Sequence, residues 1–346
     1  MTFGILGSGS WGTAIAKILT DNGQSIYWWN RSEAAIAQFK ARAHNPHYLS
    51  SAKFDMAKIT LTSDALKVIA EADVIVVAVP SAYIADLFLA FPKDIFHNKK
   101  ILSAVKGILP DQNLLLNDFL QSTFGFSLEN YFAVLGPCHA EEVAAEKLSY
   151  LTFAGQDEHF TAQMASCFKT PYLKTILNKD IIGVQYAAVL KNIYAVGAGI
   201  AHGLDYGDNF LSVLIANSAD EMAGFLRKAG IINAEVGFIE HHHPDSNSQT
   251  HNNYAASVYM GDLLVTCYSL FSRNRGFGNM IGKGYSVKAA QLEMNMVAEG
   301  YNASRCMYSI NQKFKAEMPI AEAVYQILWN NIPPAIAFEA LEAELI

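Results

Sequence analysis

Residues 4–12 read GILGSGSWG, and this stretch decides the fold. An apolar run ends at Leu6, a glycine-rich turn fitting GxGxxG follows, and a helical pattern then continues to Leu19. In such a turn the first glycine permits a tight bend, the second lets the backbone approach a pyrophosphate, and the third allows close contact of helix and strand. The N–H groups at the start of the helix then face the phosphates. We therefore predict a dinucleotide-binding turn, against the alternative of a glycine turn without a ligand. Its predicted cofactor contacts are Gly7, Gly9, Ser10, Trp11 and Gly12.

The remainder of the first half alternates short apolar runs with helical patterns, which is typical of a parallel sheet covered by helices. The run 72–79 (ADVIVVAV) is continuously apolar after Asp73, as expected of a strand buried on both faces. We predict a Rossmann-like domain over residues 1–180 with a mostly parallel sheet. Beyond the first strand, its predicted strands lie at 25–29, 72–79, 100–105, 131–135 and 149–154.

From about residue 181 the pattern becomes helical, with Pro319 marking one helix start. The change is a shift of composition and not a linker, so we expect two closely packed domains with the site between them. Residues 181–346 are predicted to form an all-α substrate-binding domain. Its predicted helices span 184–201, 210–229, 286–299, 303–314 and 321–329.

Composition and charge restrict the classes of function. Of 346 residues, 51% are hydrophobic and 16% charged, which excludes an intrinsically disordered chain. The 25 basic and 32 acidic residues give a net charge of −7. Such a chain is a poor candidate for binding nucleic acid or an anionic membrane, because its long-range field repels both. An anionic ligand must therefore meet a local cluster of cations.

The cysteines and the apolar runs predict a cytoplasmic protein. The 4 cysteines are widely separated and form no CxxC pair, so we expect them to be reduced. A strand pattern begins almost at the first residue, and no secretory signal precedes it. No uninterrupted apolar stretch reaches the roughly 18 residues that a membrane-spanning helix needs. We expect a soluble protein without membrane insertion.

The end of the second predicted strand bears on the choice of cofactor. That strand ends at Asn30, and Arg31 follows. An acidic residue there would bind the ribose hydroxyls of NAD and repel a 2′-phosphate. Because Asn30 is uncharged and Arg31 is a cation, we expect NADP or NAD as cofactor, with NADPH preferred. A solvated Arg31 that only stacks on adenine is the alternative.

Two lysines lie where a charge is costly. Lys106 follows an apolar strand at its carboxyl end, the edge of a parallel sheet at which ligands bind. Lys191 interrupts the apolar helical run 187–196, and its neighbours three and four positions away offer no ion-pair partner. Burial would lower the pKa of Lys191 toward neutrality, which suits proton transfer. The alternatives are a solvated strand end for Lys106 and a side chain reaching water for Lys191.

A third segment combines an isolated acid with a basic turn. Asp262 begins the apolar stretch GDLLVTC, and Ser272, Arg273 and Asn274 follow shortly after it. The guanidinium and amide groups are suited to the oxygens of a phosphate. The alternative is a helix cap at Asp262 followed by a solvated basic turn.

Taken together, these segments resemble the bacterial type of NAD(P)-dependent glycerol-3-phosphate dehydrogenase, a family that interconverts dihydroxyacetone phosphate and sn-glycerol 3-phosphate. The resemblance covers nearly the whole chain, and the motifs are specific in combination. They are GSGSWG at 7–12, VKG at 105–107, LGPCHAEEVA at 135–144, LKNIYAVGAGI at 190–200, GDLLVTC at 261–267 and SRNR at 272–275.

The resemblance implies an oxidoreductase that reduces dihydroxyacetone phosphate for phospholipid synthesis. Lys191 would be the general acid in reduction and the base in oxidation, with Asp262 orienting its ammonium and Lys106 adding electrostatic support. Arg273 would be the principal cation for the phosphate. The implied substrate contacts are Lys106, Gly136, Cys138, Lys191, Asn192, Asp262, Ser272, Arg273 and Asn274. The implied cofactor contacts, beyond the glycine turn, are Arg31, Lys106, Ala140, Arg273, Val297 and Glu299.

Two positions depart from the family pattern. Cys138 stands where the family more often has Ser or Thr, so a hydroxyl contact is lost or replaced by a weaker thiol contact. Asn217 stands in a helix where the family usually has an arginine, which puts the contact of that arginine in question. Neither change removes a group involved in hydride transfer.

Other functions stay open at this point. The His-rich segment 241–253 contains capable metal ligands, but no Cys or Glu spacing accompanies them, so we expect an exposed insertion and no metal. A related two-domain reductase acting on a hydroxy or keto acid is the main alternative, although the SRNR cluster favours a phosphate. A nucleotide-sensing regulator is disfavoured because the charged cluster is retained. We expect a small-molecule substrate, no nucleic acid, and a homodimer.

Overall fold

The computed structural model describes residues 1–231, 258–294 and 297–345. It divides the chain into two compact units. One unit contains Met1–Val105 and Leu114–Ile181, and the other contains Lys106–Asn113 and Ile182–Ile346. The sequence predicts one continuous domain on each side of residue 180. The structural division instead assigns the segment Lys106–Asn113, which precedes that boundary, to the second unit.

The first unit is built on a sheet whose order is that of a Rossmann fold. The strands occur in the order β3-β2-β1-β4-β5-β6-β7-β8. All neighbouring pairs are parallel except β6 and β7, which are antiparallel. This confirms the predicted mostly parallel sheet. The strands are β1 Phe3–Leu6, β2 Ile26–Trp29, β3 Ile59–Thr62, β4 Val74–Val77, β5 Lys100–Ser103, β6 Tyr131–Leu135, β7 Ser149–Gly155 and β8 Leu173–Asn178.

Two strands were not predicted, and both lie at the edges of the sheet. β3 reads ITLT and alternates buried with exposed positions, while β8 reads LKTILN and is only partly buried. Edge strands lack the continuous apolar run that marks a central parallel strand. Their sequences therefore resemble polar loops when read alone.

Helices cover both faces of this sheet. In α1, Ile15 and Leu19 are fully buried and share one apolar core with Phe3 and Ile5 of β1. This packing fixes the glycine turn between β1 and α1. The helices of the first unit are α1 Ser10–Asp21, α2 Glu33–Arg42, α3 Ala65–Glu71, α4 Ile84–Leu89, α5 Leu116–Phe124, α6 Ala140–Ala144 and α7 Glu158–Ser166.

The described part of the second unit is helical, as predicted. Its longest helix, α8, is long and apolar enough to cross a membrane by length and composition, but 89% of its most apolar window is buried inside the protein. The core helix of a globular unit is also long, apolar and mostly buried, so α8 is weak evidence for a membrane span. The helices are α8 Ile181–Gly203, α9 Asp208–Lys228, α10 Met260–Tyr268, α11 Arg273–Gly282, α12 Val287–Glu293, α13 Glu299–Phe314, α14 Pro319–Asn330 and α15 Pro334–Glu342.

The single helix predicted over 286–299 is wrong. α12 ends at Glu293, and Met294 has the extended backbone angles φ −89° and ψ 123°. α13 begins at Glu299 after an extended residue, Ala298. A Cβ on Gly300 would lie 2.5 Å from the carbonyl oxygen of Asn192, so the start of α13 is set by its close approach to α8. Helical periodicity carries no information about such an approach.

Candidate active site and dinucleotide turn

The glycine turn has the geometry that its sequence predicts. Gly7 has φ +121°, and a Cβ there would lie 2.6 Å from the carbonyl oxygen of Ala78. A Cβ on Gly12 would lie 2.2 Å from the carbonyl oxygen of Gly7, whereas a Cβ on Gly9 would meet open space. The first and third glycines are therefore required by the protein's own packing, and the second leaves room for a ligand.

The start of α1, like the starts of α4, α5 and α6, has no capping side chain. Its N-cap residue is Gly9, and no side chain caps it. By contrast, the side chains of Ser32, Asp64 and Asp157 cap α2, α3 and α7. A helix end of this kind suits a phosphate oxygen in the place of a capping side chain. Ser10 and Trp11, both predicted cofactor contacts, form its first turn. The turn thus fits a dinucleotide.

Two buried side chains donate hydrogen bonds to carbonyl groups of the turn. The indole Nε1 of Trp28 donates to the carbonyl oxygen of Gly7 at 2.9 Å. The amide Nδ2 of Asn45 donates to the carbonyl oxygen of Ser8 at 3.0 Å. Sequence reasoning missed both residues, because no local pattern connects them to the turn.

The end of β2 carries the two residues predicted to influence the choice of cofactor. Asn30 is buried, and its Oδ1 accepts a hydrogen bond from the backbone N–H of Ser32 at 3.1 Å. Arg31 is exposed. The position after β2 therefore has no carboxylate and presents an exposed cation.

Three further predicted residues follow β6 in the first unit. Gly136 has φ +136°, and a Cβ there would lie 2.9 Å from the carbonyl oxygen of Tyr150. Cys138 is buried, and Ala140 begins α6. The left-handed backbone at Gly136 turns the chain sharply after β6, which places Cys138 in the following bend.

Lys191 of α8 is buried in the second unit, 3% exposed, and forms an ion pair with Asp262 of α10. Burial lowers the pKa of Lys191 to about 8, with the charge of Lys106 acting in the same direction. The carboxylate of Asp262 opposes this effect by favouring the ammonium. A lysine so placed can both donate and accept a proton near neutral pH.

Asp262 lies inside α10, within its first turn, and the N-cap of that helix is Tyr259. The alternative of a helix cap at Asp262 is therefore wrong, because this side chain points to Lys191 and not to its own backbone. One carboxylate oxygen, Oδ2, is buried and has no hydrogen-bond partner among the described residues. The hydroxyl of Thr266 donates to the carbonyl oxygen of Asp262 at 2.5 Å. Within the part of the chain that the structure describes, the site thus holds a buried acceptor without a partner.

A line of hydrogen bonds joins four segments beside this pair. Asn192 Nδ2 donates to the carbonyl oxygen of Lys106 at 2.7 Å, and Asn192 Oδ1 accepts from Asn274 Nδ2 at 2.9 Å. Asn274 Oδ1 accepts from the backbone N–H of Gly300 at 2.9 Å. These contacts hold the 106–113 segment, α8, α11 and α13 in one arrangement.

The remaining predicted site residues lie on, or directly before, helices of the second unit. Ser272 is the N-cap of α11 and accepts from the backbone N–H of Arg275. Arg273 is the first residue of that helix and is half-buried. Val297 and Glu299 lie at the start of α13 and are half-buried. Asn217 of α9 donates from Nδ2 to the carbonyl oxygen of Val213 at 2.9 Å.

The second unit also contains buried titratable groups that the sequence analysis did not predict. Burial raises the pKa of the Cys267 thiol to about 12, and the charge of Lys191 acts against this effect. Burial raises the pKa of Glu221 to about 8, although its carboxylate accepts from the backbone N–H groups of Ile320 and Ala321 at the start of α14. An acid in an otherwise helical stretch, such as Glu221, gives no sequence signal of burial.

Within residues 1–231, 258–294 and 297–345, no group of three or more His, Cys, Asp or Glu residues is placed to hold a metal ion. The His-rich segment 241–253 lies outside the described residues. The prediction of an exposed, metal-free insertion there stays a prediction.

The fold and the site define a class. A Rossmann sheet with an uncapped glycine turn fits a nicotinamide dinucleotide, and a buried lysine with a pKa of about 8 supplies an acid–base group. These features together define an NAD- or NADP-dependent oxidoreductase acting on a CH–OH group.

Comparison with known proteins gives the family. The family model for the NAD-dependent glycerol-3-phosphate dehydrogenase N-terminus matches residues 2–161, and the model for the C-terminus of the same family matches residues 180–339. The chain belongs to the NAD-dependent glycerol-3-phosphate dehydrogenase family.

Relatives and solved structures agree with this assignment. Glycerol-3-phosphate dehydrogenase [NAD(P)+] from Bacillus subtilis is 34% identical over 98% of this chain and 93% of the relative. The enzyme of the same name from Streptococcus pneumoniae is 31% identical over 97% of this chain and 94% of the relative. A crystal structure of glycerol-3-phosphate dehydrogenase from Coxiella burnetii matches with a TM-score of 0.85 and 26% identity, covering 98% of both chains.

The likeness also extends to more distant reductases. A ketopantoate reductase from Ralstonia eutropha matches with a TM-score of 0.58 and 14% identity over 97% of this chain and 99% of that chain. At this identity the likeness shows a shared fold and carries no argument for a keto-acid substrate.

Proposed function

We propose that this protein reduces dihydroxyacetone phosphate to sn-glycerol 3-phosphate with NADPH or NADH and so supplies the backbone for phospholipid synthesis. The observation that carries the proposal is the buried ion pair of Lys191 and Asp262. Relatives over 30% identical along nearly the whole chain bear the name glycerol-3-phosphate dehydrogenase [NAD(P)+], which supports this substrate.

The two units have separate tasks in this proposal. The first, predicted as residues 1–180, binds the dinucleotide through the glycine turn, Arg31 and Ala140. The second, predicted as residues 181–346 and joined by Lys106, binds the substrate and carries the acid–base group. Val297 and Glu299 contribute to the cofactor from the start of α13.

Lys191 transfers the proton. The nicotinamide, when bound, supplies the hydride for reduction and takes it up in oxidation. As the ketone oxygen gains negative charge, the Lys191 ammonium donates a proton to it, and in oxidation the neutral amine removes that proton. A general acid of this kind contributes roughly 10²–10⁴-fold to the rate. Lys106 stabilises the developing negative charge without a proton transfer of its own.

Asp262 prepares Lys191 for this step. One carboxylate oxygen binds the ammonium and keeps it charged despite burial. The other, Oδ2, is a buried acceptor that a hydroxyl of the substrate satisfies on binding. A buried acceptor without a partner costs about 1–3 kcal/mol, so its satisfaction favours a substrate that carries a hydroxyl there.

The phosphate is bound mainly by Arg273, with help from Ser272 and Asn274. Asn274 Oδ1 already accepts a hydrogen bond from Gly300, and one N–H of its Nδ2 already donates to Asn192. Its contribution to the phosphate therefore comes through the second N–H of Nδ2. Binding energy from the distant phosphate aligns the reacting carbon. Gly136 and Cys138 shape the substrate side of the first unit.

The cofactor preference, location and partners complete the proposal. NADPH is preferred, since Asn30 leaves no carboxylate to repel a 2′-phosphate and Arg31 is an exposed cation. The protein acts in the cytoplasm on a small molecule, without nucleic acid or membrane insertion, and as a homodimer. The net charge of −7 supports the first of these exclusions.

The test is an absorbance assay of NADPH and NADH with dihydroxyacetone phosphate and with a panel of keto acids. We expect activity on dihydroxyacetone phosphate alone, and a fall in kcat of roughly 10²–10⁴-fold for Lys191→Met. Lys174→Met, at an exposed position of β8, is the matched control and should retain the wild-type rate. Activity on a keto acid only, or a loss below tenfold in a folded Lys191→Met protein, would overturn the proposal.

A further inference from the structure

The three consecutive carbonyl groups of the glycine turn all accept hydrogen bonds from side chains. Trp28 binds the oxygen of Gly7 and Asn45 that of Ser8, as described above, and the Thr13 hydroxyl donates to the oxygen of Gly9 at 2.8 Å. We propose that Trp28, Asn45 and Thr13 are positioning residues that set the dinucleotide affinity of this chain. The inference rests on the dinucleotide use stated above and names the groups that make it possible.

The geometry of the peptide bond explains how these side chains act. In a planar trans peptide the N–H points opposite to the preceding carbonyl. A hydrogen bond to each of these carbonyl groups therefore also fixes the direction of the N–H group of the next residue. The three N–H groups concerned are those of Ser8, Gly9 and Ser10. The N–H groups of Gly9 and Ser10 belong to the N-cap and the first turn of α1, the helix start that faces a pyrophosphate, and that of Ser8 lies in the peptide just before them.

Trp28 is a rigid donor. It is 1% exposed on β2, and its ring packs edge-on against Phe39 with centroids 5.3 Å apart. The carbonyl of Gly7 lies between this indole and α1, because a Cβ on Gly12 would approach it to 2.2 Å. Both the donor and the acceptor are therefore tightly packed.

Asn45 is equally constrained. It is 1% exposed, and its Nδ2 donates to the hydroxyl oxygen of Thr13 at 2.8 Å as well as to Ser8. Its Oδ1 accepts from the backbone N–H groups of His47 and Tyr48 at 3.0 and 3.2 Å. With both its donor and its acceptor groups engaged, the amide has one orientation. Thr13 links the two sides of the turn, since it accepts from Asn45 and donates to Gly9.

Such preorganisation lowers the entropy lost on binding, so its removal weakens affinity without removing a ligand contact. The turn faces the pyrophosphate that NADH and NADPH share. Loss of one of these hydrogen bonds should therefore weaken both dinucleotides equally, in contrast to a change at Arg31.

The experiment measures Kd for NADH and NADPH by titration calorimetry on the full chain. Trp28→Phe removes the indole N–H and keeps an aromatic ring, and Thr13→Val removes the hydroxyl at nearly constant volume. We expect Kd to rise roughly five- to tenfold for each dinucleotide in each variant, the value of about one hydrogen bond. The KM for the dinucleotide should rise in proportion, while the KM for dihydroxyacetone phosphate should not.

The chain offers a matched control for each variant. Trp29 lies next in β2 at a more exposed position, and its indole donates to the carbonyl oxygen of Ser63 at 3.0 Å, so Trp29→Phe removes an indole hydrogen bond away from the turn. Thr20 lies buried in α1 and donates to the carbonyl oxygen of Ala16 at 2.8 Å, so Thr20→Val matches Thr13→Val. Both controls should keep Kd within twofold of wild type.

The outcomes separate this inference from the proposed function. If Trp28→Phe and Thr13→Val bind dinucleotides as their controls do, even with a lowered Tm, the three residues are structural only and the inference is wrong. If wild-type protein binds neither dinucleotide, the cofactor assignment itself fails and the inference falls with it. Weaker binding of NADPH alone would also contradict a role at the shared pyrophosphate.

Discussion

Lys191 is the residue to which we assign the proton transfer. Its ammonium is taken out of water in the middle of an apolar helix, which favours the neutral amine. The carboxylate of Asp262 restores part of the stability of the charged form. The balance gives a pKa of about 8, so both protonation states are populated near neutral pH.

The pH dependence of the two directions should follow this pKa. Reduction needs the ammonium, so kcat/KM for dihydroxyacetone phosphate should fall about tenfold per pH unit above pH 8. Oxidation needs the neutral amine, so kcat/KM for glycerol 3-phosphate should rise up to the same pH. The charged or titratable groups acting on Lys191 are Asp262, Lys106 and Cys267. Initial rates between pH 6 and 10 in both directions measure the two limbs of the pH profile, the fall for reduction and the rise for oxidation.

A variant of Asp262 distinguishes Lys191 from other titrating groups. Asp262→Asn removes the charge that raises the pKa of Lys191, so both limbs should move to lower pH. Asp220→Asn, at an exposed position of α9, should leave them in place. Limbs that do not move in Asp262→Asn would assign the titration to a different residue.

At the scale of elements, the site depends on the close crossing of α8 and α11. A Cβ on Gly199 would lie 2.1 Å from the carbonyl oxygen of Arg275, and a Cβ on Gly278 would lie 2.0 Å from that of Val196. The helix backbones are thus in direct contact. This contact sets the distance between Asn192 and Asn274, which belong to the same two helices.

The crossing predicts opposite effects for two glycines of α11. Gly278→Ala forces the helices apart and should cost about 1–3 kcal/mol of unfolding free energy. It should also lower kcat/KM, because the hydrogen bond of Asn192 with Asn274 is strained. Gly276→Ala meets nothing within 4 Å and should instead stabilise by about 0.5–1 kcal/mol, since alanine loses less entropy in a helix.

Urea unfolding of both variants checks this prediction. Equal stability of Gly278→Ala and Gly276→Ala would show that the crossing is not tight. A destabilised Gly278→Ala with unchanged kcat/KM would show that the crossing does not position the site.

Elements also show where sequence patterns are sufficient. Central strands such as β4 and long helices such as α8 were predicted because their apolar pattern extends over many residues. The break between α12 and α13 was missed because it arises from the contact of Gly300 with Asn192. The edge strands β3 and β8 were missed because half-exposed strands lack a continuous apolar run.

At the scale of the whole molecule, the net charge of −7 opposes the approach of phosphate-bearing ligands. In the proposed function, binding therefore depends on local groups, namely the uncapped start of α1, Arg31 and the cations of the second unit. A ligand that binds only the folded protein raises its stability according to concentration and affinity. Thermal unfolding consequently reports the cofactor preference of the intact chain.

We expect NADPH and NADH each to raise the unfolding free energy by about 2.7 kcal/mol at one hundred times its Kd. In Arg31→Ala, the rise in Tm at a fixed NADPH concentration should shrink, because the 2′-phosphate loses its cation, while the rise with NADH should change less. Differential scanning fluorimetry at several dinucleotide concentrations measures both. Equal reductions for the two dinucleotides would remove Arg31 as the determinant of preference.

The sequence alone determined the features that depend on neighbouring residues. The glycine turn after β1, the alternation of strands and helices, and the isolated Lys191 in an apolar helix are visible within a few turns of chain. Backbone conformation and burial periodicity are local properties, so these features could be predicted. The resemblance of six short motifs was sufficient to indicate the family.

Apart from the pairing of Lys191 with Asp262, which the family resemblance already implies, only the tertiary structure decided which distant groups meet. The pairing of Lys191 with Asp262, the hydrogen bond of Asn192 with Asn274 across 82 positions, and the donation from Trp28 to Gly7 across 21 positions depend on how helices and strands pack. Such contacts need an orientation set by an entire core, which no local pattern encodes. For that physical reason, only the tertiary structure explains how Lys191 keeps its charge and how the glycine turn is held in place.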